Sequence, residues 1–122
     1  MSAHPAPYLE ALRLFNEGAY FESHEVLEDL WRVTSGEDRR FYQGLIQLAV
    51  VLHHLRRGNA TGAANVLATC RRHLQPYRPR WRGLSVDELL ALADRVDGAL
   101  DAARREGRPP SLPDRIPTLA AE

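Results

Sequence analysis

The chain has 122 residues, 44% of them apolar, with one cysteine and 16 basic residues balanced by 16 acids. That length suits one domain with a modest core, and a lone Cys70 excludes an internal disulfide and a cysteine-rich metal site. Zero net charge removes the long-range attraction for nucleic acid that a basic domain exerts. The opening MSAHPAPYLE has neither the basic region nor the apolar run of a signal peptide. GLIQLAVVLHHL is too short to cross a bilayer. The expectation is a cytoplasmic protein with no membrane partner.

Every basic residue is arginine, and charge is segregated along the chain. Residues 1–38 hold two arginines and eight acids, 39–84 hold nine arginines and no acid, and 85–122 hold five arginines and eight acids. A basic face docking on an acidic one, within the chain or between two copies, explains this segregation; a phosphate-binding surface is the other explanation.

Five helices are expected in chain order. The first spans about 8–16, with Pro7 in its first turn and Gly18 ending it. The second spans about 19–33 and is closed by the turn TSGED. The third spans about 38–57, stopped by Gly58 and Asn59. The fourth spans about 61–74 and fails before Pro76. Pro76, Pro79 and Gly83 then hold an irregular linker. Ser85 and Glu88 form a capping box for the fifth helix. In that helix Val86, Leu89, Ala93, Val96, Leu100 and Ala103 make a heptad-spaced stripe. Residues 108–122 form a proline-rich tail, poorly ordered or wrapped over the surface. Gly18 and Ser23 recur forty residues on as Gly58 and Ala63, the pattern of two stacked helical hairpins.

The second and third helices hold the candidate site. Tyr20, Phe21, His24, Leu27, Glu28 and Trp31 share an arc at one hundred degrees per residue. This predicts a half-buried His24–Glu28 pair, in which replacing Glu28 by leucine costs about 3–5 kcal/mol if the carboxylate is buried and charged. The third helix carries Gln43, Gln47 and His54 on a narrow arc, with His53 pointing elsewhere, toward the Ile46 side. The two glutamines are expected to find partners in His24 and Glu28, since a buried unmade hydrogen bond costs about 1–3 kcal/mol.

This set admits more than one chemistry. His24, Glu28 and His54 could give three ligands to a divalent metal such as zinc, with water as the fourth. HExxxE lacks the second histidine of the HExxH motif, however. A carboxylate beside a histidine also moves protons without a metal. Cys70 falls among Ala63, Val66, Leu67 and Leu74 and is expected to be a core residue. RRHLQPYRPRWRG sets Arg71, Arg72, Arg78, Arg80 and Arg82 beside Tyr77 and Trp81. That is the texture of a single-strand stacking surface or, in the blander reading, of a braced linker covering the end of a bundle.

H-x-x-x-E-x-x-W in FESHEVLEDLW, followed by F-x-x-GLIQLAV-x-x-HH-x-x-x-GN-x-x-GA, resembles DUF309, a bacterial and archaeal family of small helical proteins of unknown function. The likeness covers about residues 14–90. Phe15, Gly18, His24, Glu28, Trp31, Gly44, Gln47, His54, Gly58, Asn59, Gly62 and Ala63 stand on its matching positions. The resemblance implies an all-helical fold and a histidine–glutamate–tryptophan motif of suspected functional importance. It implies no activity, substrate or cofactor.

The expectation is thus an all-α fold: a compact array of about five helices in short antiparallel hairpins over 1–107, then the tail. The leading reading is a non-catalytic interaction or structural module without a cofactor. It self-associates or binds an unidentified protein that covers the fifth-helix stripe. The alternatives are a divalent-metal hydrolase or acid–base enzyme using His24, Glu28 and His54, and single-stranded nucleic-acid binding through the 71–82 segment. Whether the protein is an enzyme stays open.

Overall fold

The computed structural model describes residues 3–122. Met1 and Ser2, the first residues of the expected domain and of the leader reading, lie outside them. The helices are α1 (Ala6–Asn16), α2 (Tyr20–Arg32), α3 (Asp38–Arg56), α4 (Ala60–Leu74) and α5 (Val86–Glu106). A 3-10 turn, Gln75–Tyr77, and a two-residue antiparallel ribbon lie between α4 and α5. The ribbon strands are β1 (Arg80–Trp81) and β2 (Leu84–Ser85), with Arg80 opposite Ser85 and Trp81 opposite Leu84. The fold class is all-α, as expected. The linker is more ordered than the sequence indicates: Gly83 at φ +75° permits a tight turn, Trp81 and Arg80 of β1 reach Asp38 and Glu122, and Leu84 of β2 is buried.

The forty-residue echo has a physical basis. Gly18 and Gly58 both adopt the left-handed conformation, at φ +80° and +72°. Each ends its helix with the same pair of bonds. At α1, Gly18 N–H donates to Phe15 O at 2.9 Å and Ala19 N–H to Leu14 O at 2.9 Å. At α3, Gly58 N–H donates to Leu55 O at 3.0 Å and Asn59 N–H to His54 O at 2.8 Å. Ser23 and Ala63, five residues after each glycine, are buried where the arms of each hairpin meet. Asn59, expected only to stop α3, also caps α4, its Oδ1 accepting Gly62 N–H at 2.9 Å. Ser85 caps α5 by accepting Glu88 N–H at 3.2 Å.

The third helix is central. It packs between α2 and α4, while α1 covers α2 and α5 covers α4. Phe41, Leu45, Leu48, Val51, Leu52 and Leu55 are all buried. The six residues of the α5 stripe are buried too, by the chain itself. This corrects the expectation that part of the stripe stays free for a partner. The tail supplies some of the cover: Leu112 and Ile116 pack on the core, and Arg95 of α5 donates to the Arg115 carbonyl. No helix among the described residues is long and apolar enough to cross a membrane.

Candidate functional site

The buried arc of α2 is Tyr20, Ser23, Leu27 and Leu30. Ser23 Oγ donates to Ala11 O at 2.8 Å, fixing the crossing of α1 and α2. This arc is rotated from the one expected. Phe21 turns outward and is 45% exposed, while His24, Glu28 and Trp31 lie on the edge facing α3. The reason is that Ser23, small and hydrogen-bonded, takes an inward position where the sequence pattern had placed an aromatic.

His24 Nδ1 lies 2.6 Å from Phe21 O. A carbonyl only accepts, so Nδ1 carries the hydrogen and Nε2 faces Glu28 Oε2, 3.4 Å away. Glu28 Oε1 lies 3.3 Å from Arg32 Nη2, and Arg32 also meets Asp29 at 2.7 Å. The side chain of His24 is 18% exposed and that of Glu28 39%. Glu28 is therefore a partly solvated carboxylate with two long contacts, not the buried hub expected.

Beside it, Glu28, Trp31, Gln43, Ile46 and Gln47 line an open groove of about 210 Å³ between α2 and α3. The Arg39 guanidinium stacks on the Trp31 ring at 4.0 Å and donates to the Trp31 and Thr34 carbonyls at 3.0 and 2.9 Å. Gln47 does not reach His24 or Glu28. Its Oε1 sits 2.7 Å from His73 Nδ1 on α4. Burial, with the nearby charges of Arg40 and Arg72, holds the His73 pKa below its ordinary value. Gln43 lines the groove, where solvent can satisfy it. The expected closed network is absent because the groove is open.

The third predicted metal ligand is elsewhere. His54 Nδ1 accepts from Asn59 Nδ2 at 3.2 Å, and its ring packs beside Gly62. The histidine next to His24 is His53, which lies on the Ile46 side as expected; it is that side, not the arc of His54, that faces His24. The Phe21 ring lies 4.9 Å from His24 and 5.2 Å from His53. Helix phase explains the exchange: His53 is two turns from Ile46 on the α2 side, and His54 is one residue further round, toward α4. Burial first, then Arg57, His54 and His24, keep the His53 pKa below its ordinary value. Among the described residues no three His, Cys, Asp or Glu side chains converge on one point; His24 and Glu28 meet without His54. His53 and His73 were not singled out from the sequence. His73 is 26 residues from Gln47, and no local spacing connects them.

The arginine–aromatic segment forms a brace. Arg71 reaches Asp94 and Asp97 of α5, both at 2.6 Å. Arg78 meets Asp87 at 2.6 Å, Arg80 meets Glu122 at 3.2 Å, and Arg72 donates to Thr69 at 3.2 Å. Asp38, at the start of α3, receives Arg82 at 2.5 Å and the Trp81 indole N–H at 2.9 Å. Those bonds, Arg82 first, hold the Asp38 carboxyl below the usual carboxylate range against the opposing effect of burial. Tyr77 packs between Phe41 and Trp81, at 5.3 and 5.0 Å between ring centres. The aromatics thus cover the end of α3. Cys70 is buried, its thiol 3.4 Å from Gly44 O, and burial pushes its pKa up to about 12; it is a core residue.

Charge segregation is only partly neutralised inside the fold. The acids of α5 take arginines of α4 and the linker. Among the described residues Glu22 and Glu25 on α2, Arg40 on α3 and Arg57 just after it form no ion pair.

Comparison with known proteins matches residues 8–66 to the family model described as "Domain of unknown function (DUF309)". The chain is 31% identical over 104 residues to an uncharacterized protein of Aquifex aeolicus (strain VF5), covering 84% of this chain and 30% of that protein. It is 38% identical over 86 residues to the uncharacterized protein YpuF of Bacillus subtilis (strain 168), covering 69% of this chain and 49% of YpuF. It therefore spans less than a third of one of these relatives and about half of the other. No solved structure gives a significant match.

Proposed function

Residues 8–66 belong to the DUF309 family, and from the geometry of that segment we propose a non-catalytic, cytoplasmic interaction module that self-associates through the α2–α3 groove. The observation that carries this reading is a pair of oppositely charged clusters on the α2–α3–α4 surface, outside the groove lining and unneutralised within the chain. Glu22 and Glu25, one turn apart, line the outer edge of α2. Arg40 shares the face of Gln43 and Gln47 on α3, and Arg72 lies beyond it near His73. A two-fold axis midway between the two clusters, oblique to the groove, brings the acidic cluster of one copy over the arginine cluster of the other, which makes the surface self-complementary. The exposed Phe21 ring adds an aromatic anchor.

Groove size favours the same reading. Small-molecule pockets usually measure about 300–1,000 Å³. The 210 Å³ here is open and has room for a protruding side chain rather than an enclosed substrate. Sedimentation tests the proposal. At 50 mM salt and micromolar concentration a dimer is expected, dissociating at high salt as the clusters are screened. Glu22→Arg with Glu25→Arg, and Arg40→Glu with Arg72→Glu, each give monomers, and mixing the two variants restores a dimer. A wild-type chain that stays monomeric at low salt refutes the reading.

One observation favours a second reading. Because Phe21 O holds Nδ1–H, His24 Nε2 is free to exchange a proton with Glu28 or to meet a divalent cation such as zinc. The hydrolase form additionally needs His54 to leave Asn59. Zinc calorimetry of wild type against His24→Ala tests the metal form, and no heat from wild type removes it. An activated-ester hydrolysis profile over pH, unchanged by His24→Ala, removes the acid–base form. Internal pairing of Arg71, Arg78, Arg80 and Arg82 supports leaving nucleic acid out of the proposal.

A further inference from the structure

The tail after α5 has no regular structure, yet it is held at defined points. Residues 111–122 make no backbone hydrogen bond to one another among the described residues, so their position depends on what they touch. Leu119 is 6% exposed. It closes a hollow lined by Leu12, Phe15, Leu27, Leu45 and Leu48, where a void of only about 10 Å³ remains. Its peptide groups are read as well. Asn16 Nδ2 donates to Leu119 O at 2.8 Å, and Leu119 N–H donates to Asn16 Oδ1 at 2.8 Å. One side-chain amide thus takes the place of a neighbouring strand. Such a clamp reads an extended main chain whatever its side chains, while the hollow selects a leucine-sized group.

A second anchor lies two to three residues further on. Glu122 N–H donates to Gly83 O at 3.3 Å, and the Glu122 carboxylate meets Arg80 at 3.2 Å. A Cβ on Gly83 would lie 2.4 Å from Glu122 N, so glycine there makes room for the tail. Four prolines between 109 and 117 keep the segment out of helix and lower the entropy it loses on docking.

We propose that the hollow between α1, α2 and α3 is a peptide-recognition site for an extended, leucine-bearing segment, and that residues 116–122 occupy it in cis as an exchangeable ligand. The Leu119 socket and the Asn16 clamp all fall within residues 8–66, the segment matched by the family, and the occupant falls outside it. The matched segment thus builds the socket and the clamp, Arg80 and Gly83 hold the end of the tail, and the chain after α5 supplies the ligand. The site is separate from the α2–α3 groove and does not depend on the self-association reading.

The test uses the full chain and a fluorescein-labelled synthetic peptide of residues 111–122. In wild type the tethered tail competes at an effective concentration of order mM, so the peptide binds weakly. In Leu119→Ala the tail is loosened and the peptide binds at least tenfold more tightly by anisotropy. A peptide carrying the same Leu119→Ala change does not bind, and adding Asn16→Ala to the protein removes binding. A folded Leu119→Ala chain with no saturable anisotropy overturns the proposal, as does binding that ignores the leucine of the peptide. If Leu119→Ala does not fold, hydrogen exchange on wild type decides. A dockable tail opens locally, so the Leu119 amide exchanges at least a hundredfold faster than the Leu48 and Leu52 amides. Equal rates would mean that the tail leaves only when the whole fold unfolds, and the proposal fails.

Discussion

Replacing Gly44 by alanine sets two opposing effects against each other in the middle of α3. Alanine is favoured over glycine in a helix interior by about 1 kcal/mol. Against this, a Cβ at position 44 would lie 2.6 Å from Leu74 Cδ2, 2.8 Å from Leu74 Cγ and 3.3 Å from His73 Cβ. Leu74 is fully buried and has no open space to turn into, so α3 and α4 must move apart. Overpacking of this kind costs about 1–3 kcal/mol. Separation also stretches the Cys70–Gly44 contact and the His73–Gln47 bond. The overpacking cost outweighs the propensity gain. Gly44→Ala is expected to be less stable than wild type by up to about 2 kcal/mol, a melting temperature lower by up to roughly 8 °C. Gly98→Ala on α5 is the internal control. A Cβ there meets nothing within 4 Å, so propensity acts alone and stability rises by up to about 1 kcal/mol. Urea denaturation monitored by circular dichroism measures both. A Gly44→Ala chain that gains as much stability as Gly98→Ala would refute the close approach of α3 to α4 at this point.

Other outcomes follow from single side chains. Asp38→Asn keeps an acceptor for the Trp81 indole but loses the charge facing Arg82. Because the folded Asp38 pKa is lowered, its stabilising effect is present above its unfolded pKa of about 4 and is lost as pH falls through the folded value. The melting-temperature gap between wild type and Asp38→Asn should therefore be present at pH 6 and shrink below about pH 4; a gap constant from pH 6 to pH 2 would show that the Arg82 pairing does not act through charge. Glu28→Gln and Glu28→Leu should both fold and melt within a few degrees of wild type. A part-exposed carboxylate with contacts of 3.3 and 3.4 Å contributes about 1 kcal/mol or less, and a loss of about 3 kcal/mol for the leucine variant would restore the buried-hub reading. Cys70 should resist a thiol reagent in the native chain and react in urea, since its buried thiol stays protonated at neutral pH; rapid native labelling would show that the α3–α4 packing opens.

What the sequence determined by itself is what depends on near neighbours. Helix positions, the glycine stops at Gly18 and Gly58 and the Ser85 cap are set by residues within five positions of one another. They were legible from spacing and backbone preference. The His24–Glu28 contact was legible for the same reason, being four residues apart on one helix. Tertiary structure alone decided which way each helix face turns. A small hydrogen-bonded Ser23 displaced Phe21 from the interior, and a step of one residue gave the α2 side of α3 to His53 rather than His54. It also decided partners remote in the chain: His73 for Gln47, Arg82 and Trp81 for Asp38, Asn16 for Leu119. Such pairs arise from how helices cross, which depends on the packing of the whole core and leaves no periodic trace in either segment. The stripe of α5 shows the same limit. Its spacing foretold an apolar face, but only the fold could show that the chain's own packing, the returning tail included, covers it.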